Sequence, residues 1–419
     1  MVRAIEHCRI CGNPVLLPVL DLGEQALTGV FPDSPVQPIT RGPLRLVRCA
    51  GDEEAACGLV QLAHSYDLGE MYGDNYGYRS GLNPAMVRHL HAKVARVRER
   101  VALAPGDLVV DVGSNDGTTL GAWSDDLLRV GVDPTADKFS RYYPAGSRLI
   151  ADFFDSDALA RNGVRQRAKV LTSFSMFYDL EAPLEFMQDV HDCLDDDGLW
   201  VFEQSYLPAM LEMNSYDTVC HEHLEYYALR QVKWMADRVG FVLVDLEFNA
   251  INGGSFSVTA SKSPTAVESS LVAQVLAEEA RLGLHSDAPY QAFGTRVAQS
   301  RQTLLAFLRK ARAEGRRVAG LGASTKGNVL LQYCGIGPED VEVVAEVNPE
   351  KFGKFTPGTH LPIRPQEDVL AGKPDYLLVL PWHFREFFLG NPKLREHTLV
   401  FPLPRLEIVS PRPEEGREP

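Results

Sequence analysis

The sequence predicts an α/β protein in which two α/β halves follow a smaller N-terminal segment. Short apolar runs rich in Val and Leu alternate with helical patterns through the middle of the chain, and this alternation is typical of a parallel sheet. The same alternation restarts near residue 317. A length of 419 residues agrees with this division, since it corresponds to roughly two to four domains.

The composition is that of a soluble globular enzyme, with 45% hydrophobic and 23% charged residues. The formal net charge of −14 disfavours a general polyanion binder, because phosphate backbones are bound mainly by clustered Lys and Arg. No apolar run approaches the roughly 18 residues of a membrane span, and the start lacks the apolar core of a secretory signal. We therefore expect a cytoplasmic monomer with neither a nucleic-acid partner nor a membrane.

The N-terminal segment, residues 1–82, is rich in turns and short strands and carries four of the seven cysteines, Cys8, Cys11, Cys49 and Cys57. The odd total and the missing export signal argue against a disulfide framework. The C-x-x-C spacing of the first pair is that of a zinc knuckle, and four thiolates make a closed structural site. The alternatives are four unrelated reduced thiols or His7 as a substitute ligand. We predict an architectural zinc site.

Residues 83–262 form the predicted central domain. It begins with a helical pattern from Asn83 to Ala102 and continues with four strand-like runs and a helical stretch from Leu184 to Leu194. This order predicts a doubly wound, Rossmann-like sheet. The four runs are Leu108–Val112, Val130–Asp133, Val170–Phe174 and Leu199–Glu203.

A glycine turn, from Gly113 to Gly117, follows the first of these strands and is predicted to open a helix. The glycines let the backbone approach a cofactor, but the spacing G-x-G-x-x-G of dinucleotide sites is absent. The acidic Asp111 and Asp116 would repel a pyrophosphate, whereas they suit the ammonium group of an amino-acid-like cofactor. S-adenosylmethionine therefore fits the turn better than NAD. The expected cofactor residues of the turn are Asp111, Gly113, Ser114, Asn115, Asp116 and Gly117.

Three further residues complete the predicted cofactor site. Asp133 ends the next strand, where an acid is placed to accept both ribose hydroxyls. Asp152 and Phe153 follow the next strand-like step and could contact the adenine. Each acid alone could be a solvated strand-end residue, so the prediction depends on their combination.

Residues 263–310 are predicted to be a helical connector, with a break near Ala288–Pro289, and residues 311–419 a second Rossmann-like domain. Its first turn, from Gly320 to Asn328, fails both the Walker pattern and the dinucleotide spacing. The helix start with Ser324, Thr325 and Lys326 could still hold a diphosphate. The alternative is an ordinary strand-to-helix turn.

The tract His221-Glu222-His223 lies about a hundred residues after the glycine turn. Neutral imidazole accepts a proton near neutral pH, and a neighbouring carboxylate can orient it. The tract is therefore suited to removing a proton from a substrate. The alternative is a polar helix start whose histidines only cap and pack.

Taken together, these segments resemble the sugar-nucleotide C-methyltransferases of deoxysugar biosynthesis, nearly from end to end. The resemblance rests on the four cysteines, the glycine turn, the tract 217–223, the run 252–255 and the run 322–328. It implies a zinc-bearing N-terminal domain, a central S-adenosylmethionine domain and a C-terminal domain that holds the nucleotide of a TDP-4-keto-6-deoxy sugar. The methyl group would go to a carbon beside the ketone, with C3 favoured and C5 possible.

The resemblance also implies residue roles. His223 would be the base, with Glu222 beside it and Tyr76 facing the sugar. Substrate contacts would come from Tyr78, His221, Gly254, Ser255, Ser324, Thr325, Lys326 and Asn328. The family commonly has tyrosine where this chain has Cys220, so no role of that phenol is transferred.

Three other functions remain open from the sequence. An N- or O-methyltransferase would act on a substrate that already carries a nucleophile. A nucleotide-sugar dehydrogenase or epimerase would also have two α/β halves, although both turns lack the dinucleotide spacing. A zinc-bearing binding protein without catalysis is the third.

Overall fold

The computed structural model describes residues 2–52, 56–71 and 78–411. Its N-terminal part begins with β1 (Arg3–Ala4), β2 (Leu16–Ala26), β3 (Arg41–Cys49), β4 (Val60–Leu62), β5 (His64–Ser65) and α1 (Leu68–Met71). In β3, Leu44 and Leu46 are buried while Arg45 between them is exposed, the alternation of a half-buried strand. β2, β3 and β4 pair in antiparallel order. Residues Glu225–Tyr226, far along the chain, add a fourth strand beside β4.

The central part has the predicted Rossmann-like sheet. Its helices are α2 (Pro84–Arg98), α3 (Ala136–Phe139), α4 (Ala158–Arg161), α5 (Pro183–Cys193), α6 (Leu207–Glu212) and α7 (Leu229–Val239). Its strands are β6 (Leu108–Val112), β7 (Leu128–Val132), β8 (Arg148–Ile150), β9 (Ala168–Phe174), β10 (Leu194–Ser205), β11 (Glu225–Tyr226), β12 (Val242–Asn249) and β13 (Ser255–Ser261). Seven of these strands form one sheet in the order β12-β13-β10-β9-β6-β7-β8, with β13 antiparallel to its neighbours.

The prediction that the glycine turn opens a helix is wrong. Positive φ angles at Gly113, Asn115 and Gly117 keep this backbone out of the α-helical region, and the segment contains only turns and the 3-10 helix Leu120–Ala122. On the face of the sheet where that helix was expected, α2 packs Val94 and Val97 against β6 and β9. The helix that covers this face therefore precedes β6 in the chain instead of following it.

The connector consists of α8 (Ser270–Arg281) and the long α9 (Ala288–Ala313). Pro289 does not break a continuous helix, because it lies in the first turn of α9, where its missing N–H costs nothing. The helix break falls at residues 282–287, as the sequence indicated within a few residues.

The C-terminal part is a second α/β layer. It contains β14 (Val318–Leu321), α10 (Thr325–Cys334), β15 (Val344–Glu346), β16 (Ile363–Pro365), α11 (Gln366–Ala371), β17 (Tyr376–Val379), α12 (Arg385–Gly390), β18 (Leu399–Phe401) and β19 (Glu407–Val409). The strand order is β16-β15-β14-β17-β18-β19, and all strands but β19 run parallel. The remaining 3-10 helices are Ser80–Leu82, Ser140–Tyr142, Phe177–Asp179, Tyr216–Thr218, Ile251–Gly253, Pro349–Lys351, Trp382–Phe384 and Pro392–Leu394.

The parts share their cores. One apolar cluster joins Leu46 of the N-terminal sheet, Val219 of the segment before β11 and Val329 of α10. The other two clusters lie on the two faces of the central sheet. Among the described residues, every helix is too short or too polar to cross a membrane. Since one core spans the N-terminal sheet and the C-terminal layer, side chains from all three parts can meet at one site.

Candidate active site

The four N-terminal cysteines converge, although 49 positions separate the first from the last. Their Sγ atoms all lie within 4.8 Å of one another, with 3.4 Å between Cys11 and Cys49 and 3.5 Å between Cys8 and Cys57. Four thiolates at about 2.3 Å from a central zinc ion would have similar separations, so the four thiols fit zinc. The exposed His7 is not part of the cluster.

Local backbone structure creates this knuckle. Gly12 has φ 70° and donates its N–H to the Cys8 carbonyl, which closes the turn between the first two thiols. The Asn13 side chain donates to Cys49 Sγ over 3.3 Å and so connects the turn to the end of β3. Four thiolates leave no open coordination position, as expected for a structural ion.

The glycine turn lies at the carboxyl edge of the central sheet. β6 pairs with β7 on one side and β9 on the other, so the chain leaves β6 at the point where the strand order reverses. Open α/β sheets bind ligands at this point. A Cβ on Gly113 would lie 2.9 Å from Met176 Cγ, which explains why the turn needs a glycine here.

The acids below and beside the turn have different environments. Asp111 lies within β6, accepts a hydrogen bond from Thr172 Oγ1 at 2.5 Å, and has its pKa raised to about 7 by burial. Asp133 follows β7 and accepts the N–H of Asn115 and of Thr135. Asp133 therefore fixes the turn as well as lying at the strand end where ribose hydroxyls would bind.

Segment 78–81 covers the turn. The Tyr78 carbonyl accepts from Asn115 Nδ2, while the side chains of Asn115 and Asp116 accept the N–H groups of Ser80 and Gly81. The Tyr78 side chain is 51% exposed. Tyr76, which was predicted to face the sugar, lies outside the described residues.

Two predicted adenine contacts lie at the end of the third parallel strand. Asp152 and Phe153 follow β8, and the Phe153 side chain is 49% exposed. The carboxyl edges of β6, β7 and β8 thus present, in order, a glycine turn, a buried acid and an accessible aromatic ring. This series fits a cofactor with an amino-acid end, a ribose and a base.

Two contacts fix the orientation of the His223 ring. Its Nδ1 lies 2.9 Å from the Thr218 carbonyl, and its ring packs edge-on against Tyr178 with 4.5 Å between centroids. Because a carbonyl can only accept, Nδ1 carries the proton, and Nε2 has no hydrogen-bond partner among the described residues. Burial and then the positive charge of Lys326 lower the pKa of His223 to about 4, so the ring is neutral at pH 7.

Met176 links His223 to the carboxyl edge of the central sheet. Met176 contacts Gly113, and Tyr178, two residues later, carries the ring that packs on His223. Leu224, which follows His223, donates its N–H to the Tyr178 carbonyl at 2.8 Å. The segment after β9 therefore brings the glycine turn and the imidazole to one cleft.

The neighbouring residues of the tract point elsewhere. Successive side chains diverge, so His221 packs against Tyr66 of the N-terminal part, with 4.7 Å between centroids, and burial lowers its pKa to about 4. Burial raises the pKa of Glu222. The expectation that Glu222 orients the imidazole is not met, because the Thr218 carbonyl makes that contact. Glu222 instead faces Gly29, where a Cβ would lie 2.5 Å from its Oε1.

The C-terminal turn reaches the same region. Ser324 caps α10 by accepting the Gly327 N–H, and Lys326 Nζ donates to the Asn252 carbonyl over 3.0 Å. Asn328 Nδ2 donates to the Thr28 carbonyl at 2.8 Å. A Cβ on Gly29 would lie 3.9 Å from Thr325 Oγ1. All three parts of the chain therefore meet around the turn.

Gly254 and Ser255 shape the loop that holds Lys326. Gly254 has φ 121°, and a Cβ there would lie 2.5 Å from the Cβ of Ala209 in α6. Ser255 Oγ donates to the Ile251 carbonyl at 2.9 Å and closes the loop on itself. These two residues thus position the Asn252 carbonyl, whereas the sequence suggested direct substrate contact.

Two residues of this region, Asp217 and His383, were not predicted from the sequence. Asp217 is buried, accepts Trp382 Nε1 at 2.8 Å, and has its pKa raised to about 6, first by burial. Lys326 lies close enough to stabilise its charge. His383 follows β17, a strand that the sequence predicts, and its position at a strand end is the signal that could have identified it.

Several buried polar atoms around the cleft have no hydrogen-bond partner in the described part of the chain. Native proteins leave few such atoms unpaired, and each one calls for a ligand or water. They are Thr28 Oγ1, Asp217 Oδ1, Thr218 Oγ1, Glu222 Oε2, Asn328 Oδ1 and His383 Nδ1. The cleft is thus equipped for a polar ligand.

Comparison with known proteins gives matches along most of the chain. A zinc binding domain model matches residues 8–72, a methyltransferase domain model residues 86–246, and a C-methyltransferase C-terminal domain model residues 250–404. The C-methyltransferase NovU of Streptomyces niveus is 30% identical over 423 residues, which cover 98% of both chains.

Two solved structures align with less than half of the chain. The CcbJ methyltransferase of Streptomyces caelestis covers 44% of this chain and 98% of its own, at 15% identity and a TM-score of 0.34. Magnesium protoporphyrin IX methyltransferase of Synechocystis PCC 6803, solved with bound SAH, covers 47% and 92%, at 12% identity and a TM-score of 0.33.

Proposed function

Because the chain belongs to the S-adenosylmethionine-dependent C-methyltransferases, we propose that it methylates a ring carbon beside the ketone of a TDP-4-keto-6-deoxy sugar. C3 is the favoured position and C5 the second. Family membership disfavours the dehydrogenase or epimerase, the N- or O-methyltransferase and the binding protein that the sequence left open. The observation that carries the proposal is the neutral His223, whose Nδ1 donates to the Thr218 carbonyl while Nε2 has no partner in the described part of the chain.

A sugar carbon must gain carbanion character before it can take a methyl group. A neighbouring ketone allows this, because removal of the adjacent proton gives an enolate. His223 Nε2 is the proposed acceptor of that proton, and its lowered pKa keeps it unprotonated at neutral pH. S-adenosylmethionine supplies the electrophilic methyl group when bound. The protein aligns the carbon and excludes water.

The developing enolate oxygen needs a hydrogen-bond donor. Tyr76 is the proposed donor, as the family resemblance implies. Glu222 is a second candidate for contact with a sugar oxygen, since burial raises its pKa and favours the protonated carboxyl, which can donate. Glu222 thus has a proposed role in the substrate cleft that does not require contact with His223.

The nucleotide end of the substrate is proposed to lie at the start of α10. Ser324, Thr325 and Lys326 form the first turn, where free N–H groups and a positive side chain favour an anion. Lys326 is also near His223, so a diphosphate held here would bring the sugar ring towards the base.

Exchange of the substrate proton for deuterium tests the base separately from methyl transfer. The wild-type protein in D2O, without S-adenosylmethionine, should wash deuterium into the carbon beside the ketone, and NMR of the sugar identifies C3 or C5. His223→Asn should slow this exchange on the order of a hundredfold to ten-thousandfold.

The exposed His91 of α2 offers a matched control, and His91→Asn should exchange at the wild-type rate. If His223→Asn exchanges as fast as wild type, His223 is not the base. Methylation of nitrogen or oxygen without any exchange would contradict the proposed reaction itself.

A further inference from the structure

His383 lies at the carboxyl edge of the C-terminal sheet. β14 pairs with β15 on one side and with β17 on the other, so the ligand-binding position of this sheet lies between the ends of β14 and β17. The turn with Ser324 follows β14, and the 3-10 helix Trp382–Phe384 follows β17.

The two segments are in direct contact. A Cβ on Gly322 would lie 2.8 Å from the ring of Pro381, and a Cβ on Gly327 would lie 2.7 Å from Leu380 Cβ. Glycine at both positions lets the start of α10 approach the residues that precede His383. The imidazole and Lys326 therefore belong to one pocket edge.

Neighbouring contacts fix the position of the His383 ring. Trp382 Nε1 donates to Asp217 Oδ2 at 2.8 Å, which joins this segment to the tract that carries His223. The His383 ring packs against Phe384 with 4.3 Å between centroids and an angle of 46° between the ring planes. Its Nδ1 is buried and has no hydrogen-bond partner among the described residues. A buried polar atom without a hydrogen-bond partner calls for a ligand or water.

Lys326 also has hydrogen-bonding capacity left. An ammonium group has three donors, and the described structure pairs one of them, with the Asn252 carbonyl. Burial and then the positive charge of Lys326 lower the pKa of His383. Burial also lowers the pKa of Lys326, and the negative charge of Asp217 opposes this effect. The two side chains and the N–H groups of α10 thus offer donors for an anion.

We propose that His383 is a substrate-binding residue that, together with Lys326, holds the diphosphate of the nucleotide sugar. The inference rests on the proposed function and deepens it. Nδ1–H of a neutral imidazole donates one hydrogen bond to a phosphate oxygen, Lys326 supplies the positive charge, and no bond is made or broken. The position of the diphosphate at a parallel-sheet edge agrees with the general rule for such sheets.

Calorimetry with TDP, TMP and thymidine tests the assignment on the full-length, zinc-loaded protein. Wild type should bind TDP more tightly than thymidine. His383→Phe keeps a ring of similar size without donors, and should weaken TDP binding by about tenfold or more while thymidine binding stays unchanged. His383→Asn places an amide near the Nδ1 position and should restore most of the loss.

A matched control lies at the opposite edge of the same sheet. His397 precedes β18, so His397→Asn should leave TDP binding unchanged. Deuterium exchange at saturating substrate should also be near the wild-type rate in His383→Phe, because the proposed effect is on KM.

Three results would overturn the inference. The first is TDP affinity that His383→Phe leaves at the wild-type value, and the second is an equal loss for TDP and thymidine. The third is slow exchange at saturation with TDP affinity intact, which would place His383 on the sugar. If wild type binds no nucleoside diphosphate, the nucleotide-sugar substrate of the proposed function fails as well, which separates the two outcomes.

Discussion

Gly254 gives the sharpest structural test of the site, because one methyl group should both strain and displace the loop that holds Lys326. Its backbone lies at φ 121° and ψ 108°, a region that residues with a side chain rarely adopt. A Cβ here would lie 2.5 Å from the Cβ of Ala209, whose backbone belongs to α6. Gly254→Ala must therefore accept an unfavourable conformation and move one of two packed segments.

The cost can be worked out from these two observations. The backbone strain costs about 1–3 kcal/mol, and forcing a methyl group into a filled contact costs about 1–3 kcal/mol more. We expect Gly254→Ala to lower the free energy of unfolding by about 4 kcal/mol, a large share of the roughly 5–15 kcal/mol of a typical domain. The protein should still fold at 25 °C.

Gly253 offers a matched control in the same loop. It has φ 90°, but the nearest atom to a Cβ there is Ser215 Oγ at 3.5 Å, an ordinary contact. Gly253→Ala should therefore show the strain alone, about 1–3 kcal/mol. Urea unfolding of the zinc-loaded proteins at 25 °C measures both values, and their difference isolates the contact with Ala209.

The kinetic effect should follow the stability effect. A displaced loop moves the Asn252 carbonyl away from Lys326, so KM for the nucleotide sugar should rise more than kcat falls in Gly254→Ala. Unfolding free energies that are equal for wild type and Gly254→Ala would refute the steric argument. Equal losses in Gly253→Ala and Gly254→Ala would show that strain alone acts.

Three further predictions concern the metal, the pH profile and a buried charge pair. Cys49→Ser should lower bound zinc, measured by atomic absorption, and destabilise the protein by at least several kcal/mol, because structural zinc binding is coupled to folding. Since the pKa of His223 is lowered to about 4, the exchange rate should stay flat as pH falls from 7 to 6 and decline only as the ring protonates near pH 4; a decline centred near pH 6.5 would contradict this. Glu203 is buried and contacts Lys93 Nζ at 2.9 Å, so Glu203→Ala should lower the free energy of unfolding by about 1–3 kcal/mol, because the buried ammonium loses one of two carboxylate partners and keeps only Glu247. Arg96→Ala removes a half-exposed ion pair and should lower the free energy of unfolding by less than about 1 kcal/mol in the same urea assay.

Sequence patterns predicted the architecture correctly where the structure of an element depends on its own residues. The run Leu108–Val112 is buried on all five residues and coincides with β6, and four of the five are apolar, as is typical of a strand covered on both faces. The four cysteines could be assigned to one metal site because the C-x-x-C spacing of the first pair is typical of zinc ligands. Ser324 caps α10 as its residue type suggests.

Features that depend on distant pairing could not be predicted. The helix expected after Gly113 is absent, because α2 from the preceding segment covers that face of β6. Residues Glu225–Tyr226 complete the N-terminal sheet across about 160 positions of chain, and two residues carry too little pattern to indicate a strand. The partner of His223 is a backbone carbonyl, which no residue type reveals.

The contacts around Lys326 explain why the site needs all three parts of the chain at once. Its ammonium donates to the Asn252 carbonyl of the central part, while Asn328, two residues later, donates to the Thr28 carbonyl of the N-terminal part. Trp382 Nε1 donates a hydrogen bond to Asp217, beside the tract that contains His223. Since these buried contacts join the C-terminal turn to both other parts, any rotation of the C-terminal layer would separate Lys326 and His383 from His223. The geometry of the proposed anion site and that of the proposed base are therefore set by the same packing.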